Sequence, residues 1–397
     1  MDMFNEKLTE SLGKSSMIRA MFEEGARLKK IYGEENVYDY SLGNPEVEPP
    51  AGVIESLKKY VNSDEPGLHK YMNNAGYPDV RRKVAAYLQK KSGVALDENN
   101  IIMVCGAAAG LNVALRAVLN PGEEVMVLAP FFVEYGTYIE QSGGKPVIVN
   151  TVKDSFQIDI EAVERAITKK TKALIINSPN NPTGVIYSRE SLERLKNVLE
   201  MKEKELGINI FVISDEPYVS LVYDGAEVPN LLSIFDKCIS VNSFSKSLAL
   251  PGERIGYIAL SSRIPGAETL FSIMVTLNRT LGFVNAPSLF QKVIADNLET
   301  AVDVESYKKK RDLLYNHLTR IGFRCVKPQG AFYLFVKAPI EDDVAFCAAA
   351  AKYNLLIVPG TGFYGPGYVR IAYCVDMGMI ERSLHAFTKL AKEYGLC

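Results

Sequence analysis

The sequence predicts an α/β protein, with a large domain whose mostly parallel sheet is covered by helices and a smaller α+β domain. Three observations favour this fold class. The chain has 397 residues, which is more than one hydrophobic core usually serves. Between about residues 100 and 260, short β-branched segments alternate with longer segments of helical period, as in parallel sheets. Beyond residue 287 the order of helices and strands changes.

The alternating region contains seven predicted strands, which are residues 101–104, 124–128, 146–150, 173–176, 210–214, 238–241 and 255–260. Amphipathic helices are predicted between several of them, at residues 107–119, 160–167 and 188–203. In such sheets ligands collect in the loops that follow the carboxyl ends of the strands. We therefore expect the functional residues in the loops after these strands.

The second region has an α+β pattern. It is predicted to contain one long helix over 288–321, strands at 332–336, 355–358 and 368–373, and a final helix over 379–394. An N-terminal helix at 16–31, apolar at Met17, Ile18, Met21 and Phe22, has no strand partner and is expected to pack against this region. We therefore predict a large domain over 45–286 and a small domain formed by 1–44 and 287–397. The Pro-rich segment 44–50 would cross between them.

Composition excludes several classes of function. The 45 Lys and Arg residues nearly balance 47 Asp and Glu, so nucleic acid and anionic membranes are not expected as partners. No apolar stretch approaches the roughly 20 residues of a spanning helix. The six cysteines form no Cys-x-x-Cys pair, which indicates reduced thiols and a cytoplasmic protein. Only three histidines occur, far apart, so no metal site is expected.

The most specific motif follows the predicted strand 238–241. Lys246 lies among the hydroxyls of Ser243, Ser245 and Ser247, and Arg254 follows eight residues later. An amine in this setting can bond covalently to an aldehyde, while hydroxyls and a guanidinium hold a phosphate. A solvated loop would explain the lysine alone but not the whole constellation.

Three further motifs each allow two interpretations. Residues 177–184 contain Asn, Pro and Gly, which form turns but also present rigid amides at a strand end. Asp215, after strand 210–214, is either a helix cap or an anion that keeps a ring nitrogen protonated. Residues 105–110 are small, which permits close packing or lets backbone N–H groups reach an anion. Residues 360–365 match G-x-G-x-x-G, but a strand follows, so we predict a turn.

Together and in this order, the motifs resemble the class I/II pyridoxal-phosphate-dependent aminotransferases, which have the aspartate aminotransferase-like fold, fold type I. The similarity extends from about Leu42 to Arg370. It implies pyridoxal 5'-phosphate as cofactor, a homodimer, and transamination between an L-α-amino acid and a 2-oxo acid.

The resemblance also implies roles for individual residues. Lys246 would bind the cofactor covalently and act as general base, Asp215 would pair with the pyridine nitrogen, and Tyr218 would hydrogen-bond the phenolic oxygen. The further cofactor contacts would be Gly106, Ala107, Ala108, Phe132, Asn181, Ser243, Ser245, Arg254 and, in the neighbouring subunit, Tyr71. The substrate contacts would be Gly43, Asn181 and Arg370, whose planar fork suits a carboxylate.

Specificity and reaction type stay open at this point. Ala108 stands where one bacterial branch of the family carries a lysine that reads a distal carboxylate, and Arg279 is either an acid-reading residue or a surface arginine. A lyase of the same fold, such as a carbon–sulfur β-lyase or an aminocyclopropane-carboxylate-synthase-like enzyme, would share the whole cofactor set. A cofactor-sensing regulator is not expected, because only about 40 residues precede Gly43.

Overall fold

The computed structural model describes the backbone of residues 17–397 and the side chains from residue 23 onward. The predicted apolar side chains of Met17, Ile18, Met21 and Phe22 therefore lie outside the described residues. The strands of the described part, in chain order, are β1 (Tyr38–Asp39), β2 (Ile101–Val104), β3 (Glu124–Ala129), β4 (Lys145–Asn150), β5 (Thr171–Asn177), β6 (Phe211–Asp215), β7 (Cys238–Ser243), β8 (Gly256–Leu260), β9 (Arg324–Cys325), β10 (Tyr333–Lys337), β11 (Leu355–Leu356), β12 (Val358–Pro359) and β13 (Tyr368–Ala372).

The helices of the same part, in chain order, are α1 (Met17–Tyr32), α2 (Ala51–Val61), α3 (Pro78–Ser92), α4 (Gly106–Val118), α5 (Glu134–Gln141), α6 (Ile160–Ala166), α7 (Arg189–Leu206), α8 (Leu231–Ile234), α9 (Phe244–Ser247), α10 (Ala267–Thr280), α11 (Ser288–Ala295), α12 (Val304–Arg320), α13 (Asp343–Ala351) and α14 (Met377–Glu393). Among these described helices, none is long and apolar enough to cross a lipid bilayer.

A seven-stranded sheet in the order β2-β8-β7-β6-β5-β3-β4 forms the centre of the larger part of the molecule. Five of its strands, β3 to β7, run parallel, and their inner members are buried along almost their whole length because helices cover both faces. Strand β8 is antiparallel to both neighbours. All seven predicted strands are confirmed, with ends that differ by at most two residues.

A four-stranded antiparallel sheet, β12-β13-β10-β9, forms the second layer of structure. Helices α12, α13 and α14 pack against it around buried Tyr, Phe and Leu side chains. Strand β1 pairs in parallel with β11, and Leu28 of α1 is buried against Leu356, so the N-terminal helix packs on this part as expected. The mixed α/β fold class is therefore confirmed.

Two predictions for the C-terminal region are wrong in detail. The single helix expected over 288–321 is two helices, α11 and α12, because Asp303 begins a new helix by accepting hydrogen bonds from the backbone N–H groups of Glu305 and Ser306. The strand expected over 355–358 divides into β11 and β12, which belong to different sheets. Residues 360–363 form a 3₁₀ turn before β13, as predicted.

Helix α11 packs against α2 and α3, and Lys292 binds Asp79 of α3 at 3.1 Å. Its buried residues belong to the same apolar cluster as the large sheet. The first turns after residue 287 are thus in contact with the larger part of the molecule. The division of the chain into domains at 44/45 and 286/287 stays a prediction.

Candidate active site

A cleft of about 210 Å³ lies at the carboxyl edge of β5, β6 and β7, where ligands of parallel sheets bind. Its lining brings together ten of the residues predicted from sequence, namely Ala107, Ala108, Phe132, Asn181, Asp215, Tyr218, Ser243, Ser245, Lys246 and Arg254. These residues come from five different connections, so only the folded chain places them around one space.

Lys246 lies in the short helix α9, immediately after β7. Its Nζ atom donates a hydrogen bond of 2.6 Å to the carbonyl oxygen of Gly43 and lies 5.4 Å from the ring centre of Phe332. Burial lowers the pKa of this amine to about 8, since the charged form loses its hydration. A larger fraction of this amine than of an ordinary lysine is therefore neutral, and nucleophilic, near neutral pH.

Asp215 ends β6, and its two carboxylate oxygens differ in their surroundings. Tyr135 donates its hydroxyl to Oδ2, and the amide of Asn177 donates at 2.9 Å to the Asp215 backbone carbonyl. Oδ1 is buried without a hydrogen-bond partner. The pKa of Asp215 is raised to about 7, mainly by burial; the Tyr135 hydrogen bond opposes this rise, and the nearby charge of Glu216 adds to it. A buried oxygen of this kind is costly unless a ligand donor pairs with it, so the site fits a protonated ring nitrogen.

The next residue, Glu216, faces the other side of the sheet, because side chains alternate along an extended strand. Its carboxylate accepts hydrogen bonds from Ser214 at 2.6 Å and Ser240 at 2.8 Å, and it lines a separate groove of about 800 Å³. That groove is larger than the cleft but is not lined by Lys246 or Asp215. The residue types needed for amine chemistry therefore converge on the smaller space.

One end of the cleft is suited to a phosphate. The hydroxyls of Ser243 and Ser245 are 2.6 Å apart, and α4 begins beside them at Gly106, with its first N–H groups free of helical partners. A Cβ atom at Gly106 would lie 2.8 Å from Nη2 of Arg254, so glycine lets the guanidinium approach the helix. Hydroxyls, a helix start and an arginine together supply the donors that an anion requires.

The small residues of this helix confirm the close-packing interpretation made from sequence, whereas anion binding by its N–H groups stays a prediction. A Cβ atom at Gly110 would lie 2.6 Å from Val241, so α4 also packs closely on the sheet.

Arg370 lies on β13, beside the cleft, and is 2% exposed. Its Nη2 donates to the carbonyl of Ser41 at 2.6 Å, and its Nη1 donates to Oδ1 of Asn181 at 3.2 Å. Nε is buried without a partner. The guanidinium is held between the rings of Tyr333 and Phe363, at 4.7 and 4.6 Å from their centres. This restrained cation has donors that a carboxylate can accept.

Residues 41–43 connect this arginine to the lysine. The carbonyl of Ser41 accepts from Arg370 and the carbonyl of Gly43 accepts from Lys246. Between them, the carbonyl of Leu42 accepts a 3.6 Å hydrogen bond from the thiol of Cys374. Three consecutive carbonyls thus face the two cations and the thiol, and Gly43 and Arg370 are both brought to the predicted site.

Gly43, Gly106 and Arg370 border the cleft through contacts with residues that line it, whereas Tyr71 and Arg279, also singled out from sequence, are not among the lining residues. Tyr71 lies between α2 and α3, and its side chain is 93% exposed. Arg279 lies in the last turn of α10 and is also exposed. Across the described side chains, no group of three His, Cys, Asp or Glu residues is placed to hold a metal ion.

Sequence reasoning missed several polar residues that contact the predicted ones. They are Ser41, Tyr135, Asn177 and Tyr333. Asn177 begins the motif 177–184 and Tyr135 lies three residues after Phe132, so their positions in the sequence could have identified them as candidate site residues. Tyr333 lies in a predicted buried strand, where a hydroxyl requires a partner, but nothing in the sequence names that partner.

Comparison with known proteins agrees with this geometry. Residues 35–387 match the family described as aminotransferase class I and II. The chain is 32% identical over 355 residues to an aspartate aminotransferase of Thermotoga maritima, covering 88% of this chain and 90% of the relative. It is 31% identical over 354 residues to an aspartate/prephenate aminotransferase of Thermus thermophilus, with coverages of 88% and 90%.

Among solved structures, an amino transferase from Eubacterium rectale is 42% identical and superposes with a TM-score of 0.96 over 100% of both chains. These relatives are named as aminotransferases, so the lyase alternative is not favoured and the activity is transamination, which members of this family perform with pyridoxal phosphate. The chain belongs to the class I and II aminotransferase family.

Proposed function

We propose that this chain transfers the amino group of an L-α-amino acid to a 2-oxo acid, with pyridoxal 5'-phosphate bound in the cleft. The observation that carries the proposal is that one cleft is lined both by the desolvated amine of Lys246 and by Asp215, whose carboxylate oxygen Oδ1 has no hydrogen-bond partner. Pyridoxal phosphate, when bound, supplies an electron sink for the pair of electrons left on the substrate Cα.

Different lining residues would contact different parts of the cofactor. Asp215 would hold the ring nitrogen, Asn181 and Tyr218 the phenolic oxygen, and Phe132 one face of the ring. The phosphate would be held by the side chains and backbone groups at its end of the cleft, namely Gly106, Ala107, Ala108, Ser243, Ser245 and Arg254. Lys246 would bind the aldehyde carbon through its amine.

Two residues would move or hold protons. Lys246 would act as the general base that takes the proton from the substrate Cα through its Nζ atom. Its lowered pKa favours the neutral form that a base requires. Asp215 would keep the ring nitrogen protonated, since a nearby opposite charge shifts a pKa by about 1–3 units toward the charged form.

Arg370 would bind the α-carboxylate of both substrates. Its Nε lacks a partner, and its Nη1 bond to Asn181 is long, so the guanidinium has donors that a carboxylate can accept. The rings of Phe363 and Tyr333 restrain the guanidinium and reduce the entropy lost on binding.

Replacing Arg370 with alanine is expected to raise the KM for both the amino acid and the 2-oxo acid about 100-fold, because a charge-assisted bidentate pair is lost. The affinity of the cofactor-free protein for pyridoxal phosphate should stay within about twofold of the wild-type value, measured by equilibrium dialysis. Arg194→Ala, on an exposed position of α7, is the matched control. Loss of cofactor in the Arg370 variant would instead place this arginine on the phosphate.

The amino donor is the next property to test, because the named relatives act on aspartate or prephenate. Ala108 removes a side chain that could read a distal carboxylate, so we propose testing aspartate beside aromatic and aliphatic donors. With 2-oxoglutarate as acceptor, at least one donor is expected to give glutamate and its own 2-oxo acid in equal amounts. Release of ammonia and pyruvate from a donor without any acceptor would contradict transamination.

We also propose a homodimer in which Tyr71 reaches the phosphate bound by the neighbouring subunit. Its almost fully exposed side chain on a connection outside the cleft supports this placement. A cytoplasmic location is proposed from the six cysteines, which are all free thiols.

The dimer can be tested by complementation. Tyr71→Ala and Lys246→Ala should each give weak or inactive protein, but mixing and reassociating them should restore about a quarter of wild-type activity, because random pairing makes half of the dimers hybrids with one intact site each. The measurement is activity after denaturation and joint refolding, compared with each variant refolded alone. Absence of any recovery would indicate that Tyr71 does not act across subunits.

A further inference from the structure

Tyr333 contacts both halves of the proposed site, and its hydroxyl has a contact that the packing of its ring on Arg370 does not explain. It is the first residue of β10, and its side chain is buried. Its ring centre lies 4.7 Å from the guanidinium of Arg370. Its hydroxyl lies 2.9 Å from the hydroxyl of Tyr218. One side chain therefore touches the proposed substrate clamp and a proposed cofactor ligand.

The surroundings leave Tyr333 little freedom. Its ring is nearly perpendicular to that of Tyr218, at 82°, and it also packs on the ring of Phe332. A Cβ atom at Gly43 would overlap the Tyr333 hydroxyl, so this hydroxyl occupies the space that any larger residue at 43 would need. Gly43 is also the residue whose carbonyl binds Lys246. The Tyr333 hydroxyl is thus in contact with Tyr218 and lies next to Gly43, the residue that binds Lys246.

The direction of the hydrogen bond follows from the two hydroxyls. Burial raises the pKa of Tyr333 to about 12 and raises that of Tyr218 well above its ordinary value, so both are neutral at pH 7. One hydroxyl must therefore donate to the other. Under the proposed function Tyr218 donates its proton to the phenolic oxygen of the cofactor, so the proton between the two tyrosines comes from Tyr333.

We propose that Tyr333 is a positioning residue that restrains Arg370 through its ring and strengthens Tyr218 as a donor to the cofactor through its hydroxyl. This inference rests on the proposed function, because it requires the cofactor oxygen beside Tyr218. It assigns separate effects to the two parts of one side chain. The hydroxyl acts on the cofactor, and the ring acts on the substrate carboxylate.

Two variants separate these effects in the cofactor-loaded enzyme. Tyr333→Phe removes only the hydroxyl, whereas Tyr333→Leu removes both the hydroxyl and the aromatic face. Tyr218→Phe is the reference for loss of the donor to the cofactor. Tyr187→Phe, a buried tyrosine outside the cleft, is the matched control. The readouts are the pH titration of cofactor absorbance, the dissociation constant of 2-oxoglutarate, and the melting temperature.

A donor to the phenolic oxygen stabilises its deprotonated form, so losing donor strength raises the pKa of the bound cofactor. Tyr333→Phe should move the absorbance midpoint upward by about 0.5 to 1 pH unit and leave 2-oxoglutarate affinity within about twofold. Tyr333→Leu should show the same spectral shift together with about tenfold weaker 2-oxoglutarate binding. Combining Tyr333→Phe with Tyr218→Phe should add no shift to that of Tyr218→Phe alone. Tyr187→Phe should change neither quantity.

The outcomes distinguish this inference from the proposed function. If Tyr218→Phe shifts the midpoint and Tyr333→Phe does not, the Tyr333 inference is wrong and the cofactor placement stands. Additive shifts in the double variant, or equal losses of 2-oxoglutarate affinity in both Tyr333 variants, also overturn it. If Tyr218→Phe itself leaves the midpoint unchanged, the placement of the cofactor is wrong, and the inference fails with it.

Discussion

Replacing Lys246 with alanine is expected to lower transamination by about 10⁴-fold or more, because one amine supplies both the covalent bond to the cofactor and the proton transfer at Cα. Borohydride reduction of the cofactor-loaded wild type should tag a single peptide that contains Lys246. The variant should retain some cofactor through the phosphate donors but should give no tagged peptide. Mass spectrometry of the digest measures both results.

The matched control for this lysine is Lys169→Ala, an exposed position that follows α6. It should keep wild-type turnover and the wild-type tag. A tag on a different peptide of the wild-type protein, or turnover that survives in the Lys246 variant, would contradict the assignment of this residue.

Asp215→Ala is expected to lower turnover by about 10³-fold, since its charge holds the ring nitrogen in the protonated form and each pKa unit corresponds to about 1.4 kcal/mol. Asp215→Glu, which keeps the charge but moves it, should lose less. Steady-state kinetics at saturating cofactor measures the loss, and circular dichroism verifies the fold. Asp236→Asn, at an exposed surface ion pair with Arg263, is the matched control.

A second measurement tests the reason for this loss. A pyridoxal phosphate analogue methylated at the ring nitrogen carries a permanent positive charge and needs no anion to keep it. It should restore part of the activity of Asp215→Ala. Equal inactivity with the natural and the methylated cofactor would indicate that Asp215 acts on something other than the ring nitrogen.

Most of the fold could be predicted because the parallel strands are encoded locally. Their apolar runs end at polar residues such as Asn177, Asp215 and Ser243, and these ends are also the positions from which side chains enter the cleft. The same local pattern therefore predicted both the strand and the candidate residue that follows it. This is why the loops after β5, β6 and β7 were recognised without a structure.

The errors arose where distant contacts decide the local structure. Helical periodicity continues across residues 296–303, but Asn297 binds Ser56 at 3.0 Å and Asp303 starts a new helix, so the chain turns there. The residues at 355–359 form an extended run, and only their partners β1 and β13 divide it between two sheets. Of these partners, β1 lies far from residues 355–359 in sequence.

The missed site residues have the same physical origin. Tyr135 bonds a carboxylate 80 positions away, and Tyr333 bonds a hydroxyl 115 positions away. A buried tyrosine predicts that some partner exists, but sequence spacing does not identify it. Such residues contact the groups to which we assign the chemistry, and their contacts are recognised only when the strands that carry them are paired.

The three carbonyls of residues 41–43 have a thermodynamic consequence for substrate affinity. Without substrate, Arg370 is already bound to the backbone carbonyl of Ser41. An incoming carboxylate therefore exchanges existing contacts for new ones, and its net free energy of binding is smaller than the number of its hydrogen bonds suggests. If the substrate binds weakly in the ground state for this reason, more of its interaction energy with the protein can stabilise the transition state instead.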